Sequence, residues 1–455
     1  MSEIHSKKNI RSEIVKIAGP VFIELLMGAL FGMVDMIMLG NYGSDASSAA
    51  GIAAVGITNQ VVFIGLSLVQ SLNIGATAMV ARYLGANQED KIQDVVKHII
   101  ILTQVLLVVP FLIIGLGFSE PIMTFVGAQA DSLAIGQMYF RVIVVGFIFQ
   151  AFNFSIFASL RGAGDTKTPM KINIVVNLLN VVGNAVLIYG LFGMPELGVT
   201  GAAISTSLSH VLATLILVRY IFKVDSTIYI DLRRKFRINR DIVYNLVKIG
   251  VPAAFEQIAL RLGLLLFVRT VASLGTVAYA THNIVINILN LSFTPGQAFG
   301  TAASTLTGRS LGAGDSDLAE KYIKVCSRVG VGVSIFLAAI LFLFGGQVAG
   351  LYTNNQEVIT EATDILKLVA LIQPFQISQL TLSGGLRGAG DTIWTLISTF
   401  IGILIIRVAL SYYFVKVALM GLIGAWIAVF IDQFIRWILI TVRFRSNKWK
   451  DIEIR

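Results

Sequence analysis

The chain has 455 residues, of which 56% are apolar and only 13% charged, with a net charge of +9. A soluble domain carries about 25% charged residues, so this composition excludes one and places the chain in a bilayer. A single cysteine, Cys326, excludes an intrachain disulfide and a multi-cysteine metal site, and the four histidines form no ligand-spaced pair.

Uncharged apolar runs such as 99–118 and 329–352 each reach the about 20 residues that a helix needs to cross a ~30 Å hydrocarbon core. Strand-like alternation at barrel spacing is missing, so helices are expected to satisfy the backbone. Twelve are predicted, at 14–39, 51–80, 92–117, 132–160, 168–190, 198–222, 243–271, 278–307, 320–345, 360–385, 393–415 and 421–444.

The polar, basic stretch before helix 1 has no short apolar core with a small-residue cleavage site, so no removable signal peptide is read there. Helix 1 holds Glu24 and Asp35 among apolar residues. An ionisable group at membrane depth is costly and is a functional candidate by default. Asp35 lies near the helix C-terminus, where burial and the helix dipole both disfavour an anion. That suits a carboxyl that gains and loses a proton; the plainer alternative is an interfacial aspartate at a helix end. Glu24, nearer the midplane, is either a structural hydrogen-bond partner or a second carrier. Pro20, preceded by Gly19, either kinks helix 1 and acts as a hinge or belongs to its entry turns. Met27, Met33, Met36 and Met38 are packing residues or, with Met33 and Met36 foremost, flexible walls of a pocket that accepts varied shapes.

Helix 4 carries Tyr139 and Asn153 as candidate cavity residues, and Arg141, which is expected to pair with an acid or to face an outer vestibule. It is followed by Leu160-Arg-Gly-Ala-Gly-Asp-Thr166, repeated letter for letter at Leu386–Thr392. The stretch lacks the Gly-Lys-Ser/Thr of a phosphate loop, no strand precedes it, and Asp165 would repel phosphate, so nucleotide binding is excluded. It reads as a capped turn. Gly162 and Gly164 are expected in the left-handed conformation, Asp165 or Thr166 as the cap of helix 5, and Arg161 at the membrane surface. Arg387, Gly388, Gly390 and Asp391 are expected to repeat this between helices 10 and 11.

Helix 5 presents Asn173, Asn177, Asn180 and Asn184, spaced so that all four share one face. Facing lipid they would be expensive, so they either glue helices together or, the favoured reading, line a polar cavity. The segment between helices 6 and 7 is basic, with Arg233, Arg234, Lys235, Arg237 and Arg240. The N-terminus (Lys7, Lys8, Arg11, Lys16) and the C-terminus (Arg443, Arg445, Lys448, Lys450, Arg455) are basic too. The opposite loops carry Asp45, Glu120, Asp131, Glu196 and Glu357, with Lys416 as the exception. This asymmetry puts both termini in the cytoplasm and makes the positive charge a topology signal, with anionic headgroups a secondary partner.

Four motifs recur in order: Lys16–Glu24 at Lys248–Glu256, Arg82-Tyr-Leu-Gly85 at Arg309-Ser-Leu-Gly312, the heptapeptide, and Gly198–Gly201 at Gly421–Gly424. Four collinear matches make the chain two six-helix repeats, parallel because six is even. The expected organisation is a tail over 1–13, a bundle over 14–222, a linker over 223–242, a second bundle over 243–444 and a tail over 445–455. The fold class is all-α integral membrane, two six-helix bundles around a central cleft. In the second half Asp35 falls on Phe267 and the asparagines on Thr399, Ile403, Ile406 and Leu410. Arg261, Arg269, Lys367, Arg407 and Arg436 stand there instead, partly offset by Glu256 and Asp432. Polar, acidic chemistry therefore concentrates in the first half.

The two parallel halves, the helix 1 stretch from Pro20 to Asp35-Met-Ile-Met-Leu-Gly40 and the paired heptapeptides resemble the multidrug and toxic compound extrusion transporters, particularly the DinF-like branch. The resemblance spans Lys16 to about Phe444. It implies export of small cationic, amphipathic compounds driven by a proton or sodium gradient, with Asp35 as the protonation switch and Pro20 as the bend. Asn180 fits the family pattern, whereas Asn184 stands where some members carry an aspartate. Leu260 and Gln376 stand where sodium-coupled members carry acids, which disfavours sodium.

The expectation is thus a proton-coupled antiporter of the cytoplasmic membrane, a monomer with membrane lipids and drug-like cations as partners and no nucleic acid, nucleotide, cofactor or metal. A sodium-coupled exporter and a lipid-linked oligosaccharide flippase are the alternatives. An enzyme is not expected, since His210 and His282 stand isolated.

Overall fold

The computed structural model describes residues 7–43, 45–128, 130–224, 226–231 and 233–453. Residues 1–6, Ile454 and Arg455, and the side chains of Lys7, Lys8, Asp45 and Asp131, lie outside the described residues. Within them every regular element is helical, as a chain in hydrocarbon requires when each N–H and C=O must be satisfied within its own segment.

Twelve long helices follow one another. The first six are α1 (Lys7–Gly40), α2 (Asp45–Gly85), α3 (Glu89–Gly117), α4 (Ala130–Gly162), α5 (Lys167–Tyr189) and α6 (Gly198–Ile221). The second six are α7 (Arg240–Ala272), α8 (Thr276–Gly312), α9 (Ser316–Gly350), α10 (Gln356–Ala389), α11 (Thr392–Val417) and α12 (Gly421–Arg445). Eleven of them are long and apolar enough to cross a membrane; α8 is the more polar exception. Its Ser292, Thr294, Ser304, Thr305 and Thr307 are buried against protein, so it has little need of a lipid-compatible surface.

Three local features depart from expectation. Helix 1 starts at Lys7, not near 14, so Pro20 lies well inside it, and the helix continues through the proline unbroken. A short helix, Ser119–Val126, occupies the connection between α3 and α4. The backbone widens into π-helix at Thr103–Val108 in α3 and at Phe400–Arg407 and Tyr413–Val417 in α11.

The chain divides into two compact units. One holds Ile23–Val80 and Gln88–Leu246; the other holds the chain up to Phe22, Ala81–Asn87 and Val247 onward. The first unit is built on Met123, Phe140, Val144 and Phe147. The second has Phe267, Leu366, Trp426 and Val429 at its core. The helix α1 passes from one unit to the other just after Pro20, where the missing N–H leaves a carbonyl without its helical partner.

Within the second unit the repeated Arg-x-Leu-Gly motifs meet. A methyl group on Gly85 would strike the carbonyl of Arg309, and one on Gly312 would strike the carbonyl of Arg82. Each glycine lets the other motif's backbone approach, which is why both copies keep it. Gly85→Ala and Gly312→Ala are each expected to destabilise by about 1–3 kcal/mol through overpacking. Melting of the purified protein in detergent measures this, and unchanged melting for both would refute the crossing.

Candidate functional site: the face between α1 and α5

Glu24 and Asp35 of α1 and the asparagine face of α5 are in register. Asn173 donates through Nδ2 to Glu24 Oε1 at 2.5 Å, and Asn184 donates through Nδ2 to Asp35 Oδ1 at 2.8 Å. Both bonds span the same sequence separation of 149 residues, so the helices run side by side in the same direction without slipping. The asparagines lie against α1 because the rest of α5 is apolar, with Val175, Leu178, Leu179 and Val182 exposed. Placing amides towards these carboxylates gives a partner to each.

Asp35 is held by amides alone. With its amide oriented to suit its neighbours, Asn180 donates to Asp35 Oδ2 at 3.2 Å. Its oxygen then accepts from Ser205 Oγ and Thr206 Oγ1 at 3.2 Å each and from the Thr206 N–H at 3.1 Å. Tyr139 of α4 is buried. Tyr189 at the end of α5 donates to the Met38 carbonyl at 2.6 Å and so fixes the end of α1. Met33 and Met36 flank Asp35 with 51% and 39% of their surface exposed.

The heptapeptide arginines turn inward, which corrects the expectation of a surface position. Arg161 Nη2 lies 2.5 Å from Glu24 Oε1, and Arg387 Nη2 lies 2.6 Å from Glu256 Oε1. The duplicated glutamates and the duplicated arginines are thus partners, and Glu24 is paired with a guanidinium. Only Gly164 and Gly390 have the left-handed conformation, with φ of 86° and 91°. At Gly162 and Gly388, also expected there, glycine instead allows close approach to the carbonyls of Thr77 and Ser304. Asp165, not Thr166, caps α5, accepting from the Thr168 N–H at 3.0 Å and from Tyr220 Oη at 2.9 Å. Asp391 gives its carboxylate to Arg443 Nε of α12 at 2.6 Å. Burial pushes the Asp391 carboxyl up, while Arg443 pulls it the other way.

The second repeat keeps the anchor and loses the amide-held carboxyl. Glu256 accepts from Thr399 Oγ1 at 3.2 Å, as Glu24 does from Asn173, and from Thr395 Oγ1 at 2.8 Å. At the position that the repeat aligns with Asp35 stands buried Phe267, with the Arg407 guanidinium 5.7 Å from its ring centre. Arg407 Nη2 lies 2.6 Å and Arg436 Nε 2.9 Å from the carboxylate of Asp432, which is fully buried. Of the mid-span carboxylates Glu24, Asp35, Glu256 and Asp432, Asp35 alone has only uncharged partners.

The remaining candidates have other partners. Asn153 is 2% exposed; it donates to the His210 carbonyl at 2.9 Å and accepts from Thr214 Oγ1 at 2.8 Å, so its amide joins α4 to α6. Asn177 donates to the Asn173 carbonyl of its own helix at 2.8 Å. Arg141 is exposed and bonds through Nε to Ser119 Oγ at 3.0 Å, so the acid of the first alternative is not its partner. The sequence reading missed the Asp432 cluster as a unit. Its signal was the four-residue spacing of Asp432 and Arg436, which puts both on one face of α12. A cavity of about 400 Å³ between α7 and α11, lined by Phe255, Leu262 and Phe400, is apolar, and none of these groups lines it.

The MatE family model matches residues 20–186 and 252–413, one stretch in each repeat. The probable multidrug resistance protein NorM of Thermotoga maritima is 31% identical over 452 residues, covering 97% of this chain and 93% of its own length. The multidrug resistance protein NorM of Vibrio cholerae is 28% identical over 417 residues, covering 90% of this chain and 88% of its own. A crystal structure of a MATE protein in complex with MaD3S superposes with a TM-score of 0.88 at 25% identity over 96% of both chains. The apolar helices and these relatives together make this an all-α, multi-pass membrane protein. By the extent of the family match and the identity to its relatives, the chain belongs to the MatE family.

Proposed function

We propose that this protein is a proton-coupled antiporter of the cytoplasmic membrane that exports cationic, amphipathic compounds, with both termini in the cytoplasm. The observation that carries the reading is Asp35, held by Asn184 and Asn180 with no cation beside it among the described residues. A half-buried carboxylate without a counter-charge is a place where a proton and an organic cation compete. The names of the relatives speak of multidrug resistance, and the negative charge of Asp35 is what favours cations among such compounds. Deprotonated Asp35 helps hold the cation. A proton arriving from outside neutralises the carboxyl, weakens that hold and changes what α1 bonds to. Pro20, on the same helix, is where α1 then bends, by the freedom its missing N–H provides. Exposed Met33 and Met36 supply the adaptable apolar wall that varied substrates need.

Sodium coupling is the second reading, because carboxylate, amide and hydroxyl oxygens around Asp35 are donors that hard cations accept. Proteoliposomes with an imposed pH gradient are expected to move a fluorescent organic cation, and a sodium gradient alone is not. Transport under the sodium gradient only would replace the first reading with the second.

A further inference from the structure

The start of α1 around Ile10–Glu13 and the segment around Arg445–Lys450 both meet the start of α9 in the second unit. Lys321, Lys324 and Arg328 form an exposed stripe there, at spacings that keep them on one helix face. Two cavities flank the stripe. One, of about 450 Å³, opens towards α10 and α12 and is walled by Leu382, Trp437, Phe444 and Arg445. The other, of about 340 Å³, opens towards α1 at Ile10 and Arg11 and is walled by Val325 and Val329. Lys324 and Arg328 line both.

The charge balance at this end is one-sided. Three nearby carboxylates are spoken for: Glu320 by Lys324 and by Lys450 at 2.5 Å, Asp317 by Lys450 at 3.5 Å, and Glu13 by the Tyr322 hydroxyl. Elsewhere in this unit the guanidiniums of Arg387, Arg407, Arg436 and Arg443 each have a carboxylate. Arg11, Lys321, Arg328 and Arg445 have no carboxylate partner among the described residues. Like charges gathered around two open cavities repel one another unless an anion joins them. The floor of the larger cavity is polar, with Ser327 Oγ and Trp437 Nε1 each 3.1 Å from Ser378 Oγ. Further along α9, past Arg328, exposed residues turn apolar at Ile335 and Phe336. Basic residues therefore give way to lipid-facing ones along one helix.

We infer that these cavities form a binding site for an anionic phospholipid. Its phosphate lies among Lys324, Arg328 and the arginines of the cavity rims, and its chains run down α9 past Ile335 and Phe336. The apolar continuation selects a lipid over a soluble phosphate, and the surplus of cations selects an anionic headgroup over a zwitterionic one.

Native mass spectrometry of the full-length protein in neutral detergent, titrated with phosphatidylglycerol, phosphatidylcholine or inorganic phosphate, tests this. Wild type is expected to retain phosphatidylglycerol in preference to phosphatidylcholine, and inorganic phosphate at equal concentration not to displace it. Arg328→Gln and Arg445→Gln are each expected to weaken phosphatidylglycerol binding about fivefold, the effect of one basic residue at an anionic surface. Arg328→Lys and Arg233→Gln, the latter in the linker, are expected to bind as wild type. Arg445→Gln, at the last residue of α12, gives an independent reading if Arg328→Gln does not fold. Equal retention of the two lipids, unchanged affinity in both glutamine variants, or displacement by inorganic phosphate would each overturn the inference.

Discussion

Asp35→Asn is expected to fold and melt as wild type does and to lose transport driven by a pH gradient. The amide side chain has nearly the shape of the carboxyl and still offers an oxygen to Asn184 Nδ2, now 2.8 Å away. It offers Asn180 a nitrogen or an oxygen according to its orientation, and the amide of Asn180 can turn to match. Stability is therefore little changed, because no cation is left without its partner. In the proposed mechanism, what disappears is the charge that attracts the substrate and the site that takes the proton. Losing 1.4 kcal/mol or more of attraction is about tenfold in affinity, so export is expected to fall at least about tenfold. Glu at the same position keeps the titrating group and is expected to keep more activity than Asn. The measurement is uptake of a fluorescent cation by proteoliposomes across an imposed pH gradient. Wild-type speed for Asp35→Asn would sink the proposed switch.

Asp432→Asn is expected to have the largest effect on stability. Its carboxylate is the shared counter-charge of Arg407 and Arg436, and it is fully buried. Removing one partner of a buried ionic cluster costs about 3–5 kcal/mol, because the remaining charge has no water to turn to. Here two guanidiniums lose their anion together. Relaxation has little room: a methyl at Gly402 would already strike Asp432 and Arg436. Adding Arg407→Met to Asp432→Asn is expected to recover part of the loss, since one uncompensated cation goes with it and an apolar side chain takes its volume. Unfolding in detergent, read by tryptophan fluorescence, reports both variants. Wild-type melting of Asp432→Asn would mean that the cluster contributes nothing. A double variant no better than the single would mean that the cost is packing and not charge.

The anchors Glu24–Arg161 and Glu256–Arg387 explain the repeated heptapeptide better than its glycines do. Each arginine sits at the end of one helix and reaches a glutamate on the helix that opens its repeat. The turn positions the arginine, and the ion pair ties α4 to α1 and α10 to α7. Both elements of each pair recur in both halves, and that joint recurrence of opposite charges was the available signal. It went unread because the partners stand 137 and 131 residues apart in the chain.

The sequence by itself determined what depends on local chemistry. Apolar length set the helices, recurrence of four motifs set the two repeats, and spacing set the single face of the four asparagines. Asp35 was legible because a carboxyl flanked by valine, methionine and isoleucine has no soluble explanation. The tertiary structure alone decided which charge meets which partner. It set Asn173 on Glu24 and Asn184 on Asp35 and gave Asn153 to α6. It turned Arg161 inward and put Arg407 over Phe267. The reason is desolvation: every polar group removed from water must find a partner, and the nearest one lies across a helix interface. Which residues face each other there depends on the rotation and register of two helices, and on widenings such as the π turn at Phe400–Arg407. Those are properties of packing, and no stretch of the chain carries them by itself.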